Sequence, residues 1–296
     1  MNFGRVLTAM VTPFDSNGEI DYGKTERLIH HLLQNGTDAL VVAGTTGESP
    51  TLSKEEKISL LKFVVKIVNN RVPVIAGTGT NNTRESIELT KKAELIGVDA
   101  IMLVAPYYNK PSQEGLYQHF KVIAEATTLP VMIYNIPGRT SVNIEPATII
   151  DLSKIENIVS VKEASGNLDA MATIIRETDD NFSLYSGDDN LTLPAVAIGA
   201  NGIVSVSSHV VGNEINEMVA ACQQGDMLRA QKLHQYLLPI MKALFMAPSP
   251  SPVKAALAMN GIDVGSVRLP LVALNEQEMS LLRHELHFTH EKYNVG

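Results

Sequence analysis

The residues with the most chemistry to offer sit at the ends of short apolar runs. The run IVSVK (158–162) closes on Lys162, and VMIYN (131–135) carries Tyr134. Strand side chains alternate, so Ile158, Ser160 and Lys162 are expected on one face and Val159 and Val161 on the other. The valines would meet an apolar layer, which sends the lysine to the enclosed side, where lysines are rare without a partner or a task. At an ordinary lysine pKa only about one amine in two thousand is neutral at pH 7. Desolvation and neighbouring cations raise that fraction, and a neutral amine attacks carbonyl carbon. The same pattern fits a lysine paired with an interior acid. Tyr134 shares a face with Met132 and would point the same way, either to move protons during imine chemistry or to plug the interior as an aromatic ring. GTTGE (44–48) offers hydroxyls and backbone N–H groups suited to a small carboxylate, or forms a plain turn. Arg139 follows Pro137-Gly138, as a bidentate carboxylate clamp or as a solvated arginine.

Other patterns carry less. GTGTNN (77–82) lacks the third glycine of a dinucleotide fingerprint, and Asp99 opens its strand rather than closing it. His284, His287 and His290 share a helical face without an acid or cysteine cluster, which fits a solvated helix better than a metal site. Cys222, the single cysteine, lies in a helical run beside alanines and permits no intrachain disulfide. No metal and no cofactor is expected.

Positioning these groups requires a regular scaffold, and the chain supplies one. Eight β-branched runs (VLTAMV, ALVVAG, VPVIAG, AIMLVA, VMIYN, IVSVK, FSLYSG and GIVSVS) alternate with helical segments such as 54–68 and 83–96. Nearly continuous apolar strands indicate burial on both faces, as in parallel sheets. NGTDALVV, IGVDAIML and IGANGIVS repeat one helix-to-strand connection, in which glycine ends the helix and Asp or Asn precedes the strand. The reading is a closed (β/α)8 TIM barrel, whose active site gathers at the strands' C-terminal ends. Residues 1–211 would form the barrel core. Residues 212–296 would add the last barrel helix and a C-terminal helical appendage, with a Pro-rich joint at 247–254. The 296 residues are 45% hydrophobic and 19% charged, with a formal net charge of −8. An acidic chain does not fit nucleic acid, no apolar run is long enough for a membrane span, and the N-terminus does not read as a signal peptide. A cytoplasmic enzyme is expected.

Five segments carry a resemblance: GTTGESPTL (44–52), PYYNKPSQEGLYQHF (106–120), YNIPGRT (134–140), VKEASGN (161–167) and SGDD (186–189). Together, in order and over essentially the whole chain, they resemble the dihydrodipicolinate synthases of the N-acetylneuraminate lyase family. The resemblance implies condensation of pyruvate with aspartate 4-semialdehyde in diaminopimelate and lysine biosynthesis. It implies an imine at Lys162, with Tyr134 as proton donor and acceptor relayed through Thr45 and Tyr108. Thr46 and the Val204 backbone would hold pyruvate beside Gly187, and Arg139 would take the aldehyde substrate's carboxylate. A homotetramer, a dimer of dimers, is implied, with Tyr108 entering the neighbouring subunit's site. Sialic-acid lyases and 2-keto-3-deoxy sugar acid aldolases share the lysine and tyrosine, and the sialic-acid lyases tend to lack the arginine. A non-catalytic oxo-acid-binding barrel is a reading of another class. Lysine-inhibited relatives carry an allosteric site matching Ser49, Pro50, Asn81, Glu85 and Tyr107. Here Lys54 and Lys57 stand where histidines would be and would repel lysine, so weak or absent inhibition is expected.

Overall fold

The structure, a computed structural model, describes the backbone of residues 2–293 and the side-chain surroundings of residues 2–287. The eight apolar runs become strands β1 (Val6–Ala9), β2 (Ala39–Val42), β3 (Val74–Gly77), β4 (Ala100–Val104), β5 (Val131–Asn135), β6 (Ile158–Glu163), β7 (Ser183–Ser186) and β8 (Gly202–Ser205). They pair in parallel and in sequence order, and β1 also pairs with β8 to close the barrel. Between them run α1 (Tyr22–Gln34), α2 (Lys54–Val68), α3 (Thr83–Ile96), α4 (Gln113–Ala124), α5 (Pro137–Thr140), α6 (Pro146–Leu152), α7 (Leu168–Glu177) and α8 (Thr192–Ala197). After the last strand come α9 (Ser208–Gln223), α10 (Met227–Ala243), α11 (Ser251–Met259) and α12 (Glu276–Tyr293).

Alternation along the strands sorts the side chains into two apolar bodies. Leu7, Val41, Ile75, Met102, Met132 and Val204 fill the interior. Val6, Leu40, Val42, Ile133, Val161 and Ile203 face outward into the larger layer shared with the helices. At the bottom, Tyr185 closes the interior, its hydroxyl accepting the Phe3 N–H at 2.8 Å and donating to Asn2 at 3.0 Å. The helices supply matching stripes. Leu60, Leu61, Val64 and Val68 are buried on α2, and a Ser53–Glu56 capping box starts that helix.

Two side-chain placements in β6 depart from strict alternation. Ser160 pairs with Met132 and Ile158 with Val131, so the register shifts and Val159 is an extra residue. A bulge of this kind resets the alternation. Val159 therefore packs on the interior cluster and Ile158 on the outer one, the reverse of the simple reading, while Val161 and Lys162 keep their expected sides.

The repeated connection has a physical job. Gly36, Gly97 and Gly199 all take positive φ (77°, 88° and 112°), which glycine adopts without penalty. The Asp or Asn that follows then accepts a backbone N–H from the start of the preceding strand. Asp38 takes Val6 and Arg5 at 2.9 and 2.7 Å, Asp99 takes Val74 at 2.8 Å, and Asn201 takes Leu184 at 3.0 Å. These clasps satisfy backbone donors at the barrel's N-terminal rim.

After β8 the chain folds back as helices. α10 packs on α9 and α12, and α11 packs on the same two. Beyond α11 the chain returns to the loop that follows β1, where Phe14 donates its N–H to the Val264 carbonyl at 3.1 Å. Gly265 is obligatory there: φ is +71°, and a Cβ would lie 2.0 Å from the Phe14 carbonyl oxygen.

Candidate active site

Lys162 and Tyr134 face one another directly, because β5 and β6 pair them in register. Both point inward and are 5% and 3% exposed. The ammonium nitrogen lies 4.0 Å from the centroid of the tyrosine ring. Burial draws the Lys162 pKa down to about 8, with Arg139 pushing the same way and Asp188 and Asp189 opposing. The amine is thus far more often neutral than a solvated lysine. Tyr134 is pushed the other way, above the ordinary phenol range, because burial disfavours its anion; Arg139 and a hydrogen bond with the Thr45 side chain partly offset that. A neutral phenol bonded to a hydroxyl can both accept and return a proton.

The GTTGE turn forms the next wall. It is tight: Glu48 donates its N–H to the Thr45 carbonyl at 3.0 Å, Ser49 donates to that of Gly44 at 3.2 Å, and Thr12 donates its hydroxyl to that of Gly47 at 2.7 Å. Ala43 and Glu48 hold positive φ at its two ends. Thr46 is buried and Thr45 half-buried.

A cavity of about 290 Å³ opens over these groups, lined by Thr45, Tyr134, Ile136 and Arg139 and, on the α2 side, by Ser49, Pro50, Lys57 and Tyr107. Lys162 lies against the Tyr134 ring, and Val204 belongs to the same interior cluster as Tyr134. Gly187 passes so close to the lysine that a Cβ there would meet its Cε at 3.0 Å and Ala164 Cβ at 2.6 Å. Asn81 bonds the Tyr107 carbonyl at 3.2 Å and stands behind that loop. Glu85 is exposed in the first turn of α3 and acts on Lys57 through its charge. Tyr108 turns away from this cavity, 89% exposed and with φ at 74°.

The rim residues divide by the same alternation. Asn135 and Glu163 point outward and bond one another at 2.9 Å, and Thr78 bonds Thr90 at 2.9 Å. Asp189 is fully enclosed and accepts from Ser205 and from the N–H groups of Val206 and Ser207, so it fixes the turn after β8. Asp188, raised by burial, is the carboxyl whose charge acts most strongly on Lys162. In the sequence it stood out only within the SGDD segment (186–189), without a role. Lys54 and Lys57, the lysines of the first turn of α2, also separate: Lys54 pairs with Glu88 at 2.5 Å, leaving Lys57 as the one that lines the cavity. His284 and His287 are exposed on α12, and the His290 side chain lies outside the described residues. Among the described residues no three His, Cys, Asp or Glu side chains gather as metal ligands, and no helix is long and apolar enough to cross a membrane.

Fold and site together define a class, the Schiff-base (class I) aldolase-type lyases built on a (β/α)8 barrel. Comparison with known proteins narrows it. The Dihydrodipicolinate synthetase family matches residues 2–288. A 4-hydroxy-tetrahydrodipicolinate synthase of Oceanobacillus iheyensis is 60% identical over 293 residues, covering 99% of each chain. A dihydrodipicolinate synthase structure from Bacillus anthracis superposes with a TM-score of 0.96 at 62% identity, over 97% of this chain and 98% of that one. One from Cyanidioschyzon merolae with lysine bound also gives 0.96, at 47% identity over 97% and 98%. The chain belongs to the dihydrodipicolinate synthetase family.

Proposed function

We propose that the enzyme condenses pyruvate with L-aspartate 4-semialdehyde to give 4-hydroxy-tetrahydrodipicolinate, the first committed step towards diaminopimelate and lysine. The observation that carries this is the enclosed Lys162 amine, drawn down to about 8 and set against the Tyr134 ring. Neutral Lys162 attacks the keto carbon of pyruvate. The carbinolamine loses water to give the imine, and removal of a methyl proton gives the enamine. The enamine carbon adds to the aldehyde, whose oxygen takes a proton. The substrate's own amine then displaces Lys162 from the imine carbon and closes the ring. Tyr134, with Thr45 and with Tyr108 from a neighbouring subunit, carries the protons. Thr46, Gly187 and the Val204 backbone hold pyruvate, and Arg139 takes the second substrate's carboxylate.

The exposed Tyr108 supports a homotetramer in which this ring enters the adjacent site. Residues 1–211 form the catalytic barrel and residues 212–296 the closing helix and appendage, and the enzyme works in the cytoplasm. Lysine inhibits it weakly or not at all, because half-buried Lys57 lines the cavity beside Ser49, Pro50 and Tyr107 and repels a cationic effector. Steady-state assays should show little loss of rate at millimolar lysine; strong inhibition below that concentration would sink this part.

Borohydride reduction with pyruvate, followed by peptide mapping, tests the chemistry. The expected result is one added pyruvate-derived mass on Lys162, absent from Lys162→Ala, which also loses turnover. An unlabelled Lys162, or an active Lys162→Ala variant, overturns the reading.

A further inference from the structure

Behind the GTTGE turn lies a buried charge cluster that the chemistry above does not use. Lys254, on α11, pairs with Glu48 at 2.7 Å, and the two side chains are 3% and 0% exposed. The other Glu48 oxygen accepts the Arg268 N–H at 2.8 Å, and Lys254 also donates to the Ser266 carbonyl at 2.8 Å. Phe14 presents its ring to both cations, with Lys254 Nζ at 4.2 Å and the Arg268 guanidinium carbon at 4.4 Å from its centroid. Arg268 is itself held by Glu56 and by the carbonyls of Gly18 and Thr51.

Stability alone gives a poor account of this cluster. Apolar residues of similar volume commonly replace a buried ion pair at no cost, whereas a broken pair is strongly destabilising. An ion pair does provide direction, which dispersion does not. Glu48 is a non-glycine residue in the left-handed region, with φ 55° and ψ 35°. Its backbone closes the turn onto Thr45, and Thr45 bonds the Tyr134 side chain. A carboxylate fixed from behind by the Lys254 ammonium and the Arg268 backbone N–H therefore sets where the Thr45 hydroxyl stands.

We infer that Glu48 and Lys254 are positioning residues, an ion pair between the C-terminal helices and the turn after β2 that holds Thr45 in line with Tyr134. The appendage thereby becomes part of the proton relay's support. This rests on the relay role of Thr45 proposed above.

Lys254→Met alone strands the Glu48 charge and threatens folding, so the decisive variant is the charge-free pair Glu48→Gln/Lys254→Met, with folding checked by thermal unfolding. The expected result is a fall in kcat of about tenfold, the scale of a misplaced catalytic group, while borohydride still traps pyruvate on Lys162. In a Thr45→Val background the same pair of substitutions should lower kcat by less than about twofold, because effects that pass through one group do not add. An unchanged kcat in the folded pair variant overturns the inference, and so does a full tenfold loss in the Thr45→Val background. Failure of wild-type trapping would instead strike the Schiff-base reading, so the two failures are distinguishable.

Discussion

At Lys162, burial and Arg139 press towards the neutral amine while Asp188 and Asp189 resist, and the balance lies near 8. About one amine in ten is then neutral at pH 7, some two hundred times more than for a free lysine. The rate of imine formation should track that fraction. The pH profile of kcat/KM for pyruvate is expected to rise from pH 6.5 and level above about 8. Two substitutions should move the limb in opposite directions. Arg139→Gln removes a cation that lowers the lysine pKa, so its limb shifts to higher pH. Asp188→Asn removes an anion that raises it, so its limb shifts lower. Movement in one common direction would refute the balance. Tyr134→Phe keeps the ring against the amine and deletes the hydroxyl, and kcat is expected to fall by about a hundredfold or more. Lys162 and Tyr134 were legible in the sequence because strand alternation fixes which way a side chain leans. The partners of Glu48 were not: alternation is local, and Lys254 and Arg268 reach it only through the folded C-terminal helices.

At the scale of the elements, what could be read was what depends on short-range pattern. The helices over 54–68 and 83–96 occur with the expected bounds, and all three glycines of the repeated connection take positive φ. The placement of Val159 was hidden because a bulge is a property of two paired strands. The orientation of Tyr108 came only with the resemblance, since a loop tyrosine carries no periodicity to orient it. The clasps yield a graded prediction. Asp38 serves two backbone donors and Asp99 one, so each alanine variant strands a different number of N–H groups. Each unsatisfied donor costs about 1–3 kcal/mol. Urea unfolding should therefore place Asp38→Ala below Asp99→Ala, and both below the parent chain. Both clasps sit at the rim opposite the reaction, so kcat should stay within about twofold. An activity loss that follows the stability loss would show that the two rims are coupled.

Across the whole molecule, the seam where β8 returns to β1 is held by a histidine that must stay neutral. His209 is fully buried and accepts the Val11 N–H at Nε2 over 3.2 Å, while Nδ1 donates to the Val206 carbonyl at 2.8 Å. Adding a proton at Nε2 would set two donors against each other. Burial accordingly lowers its pKa to about 4, with His31 assisting and the Val206 bond opposing. His119, also lowered to about 4 by burial, is bonded to Thr83 at 2.8 Å through Nδ1. Unfolded, both return to about 6.5. Between pH 6.5 and 4 the unfolded chain therefore binds protons that the folded chain refuses, and stability falls as the pH falls. Glu163, Asp188 and Asp189, raised by burial, act against this trend, because for them the folded state is the one that binds protons first. The wild-type slope is thus a difference, and a variant is needed to isolate the histidine. His209→Gln should be less stable than wild type at pH 7.5, where the seam loses its bonds. As the pH is lowered to 4 it should close that gap by on the order of 2–3 kcal/mol, having no buried imidazole to protonate. Denaturant titrations of both proteins across that range give the two curves. Parallel curves would mean that His209 takes up its proton over the same pH range in the folded and unfolded chains, and that its bonds to Val11 and Val206 do not set its charge.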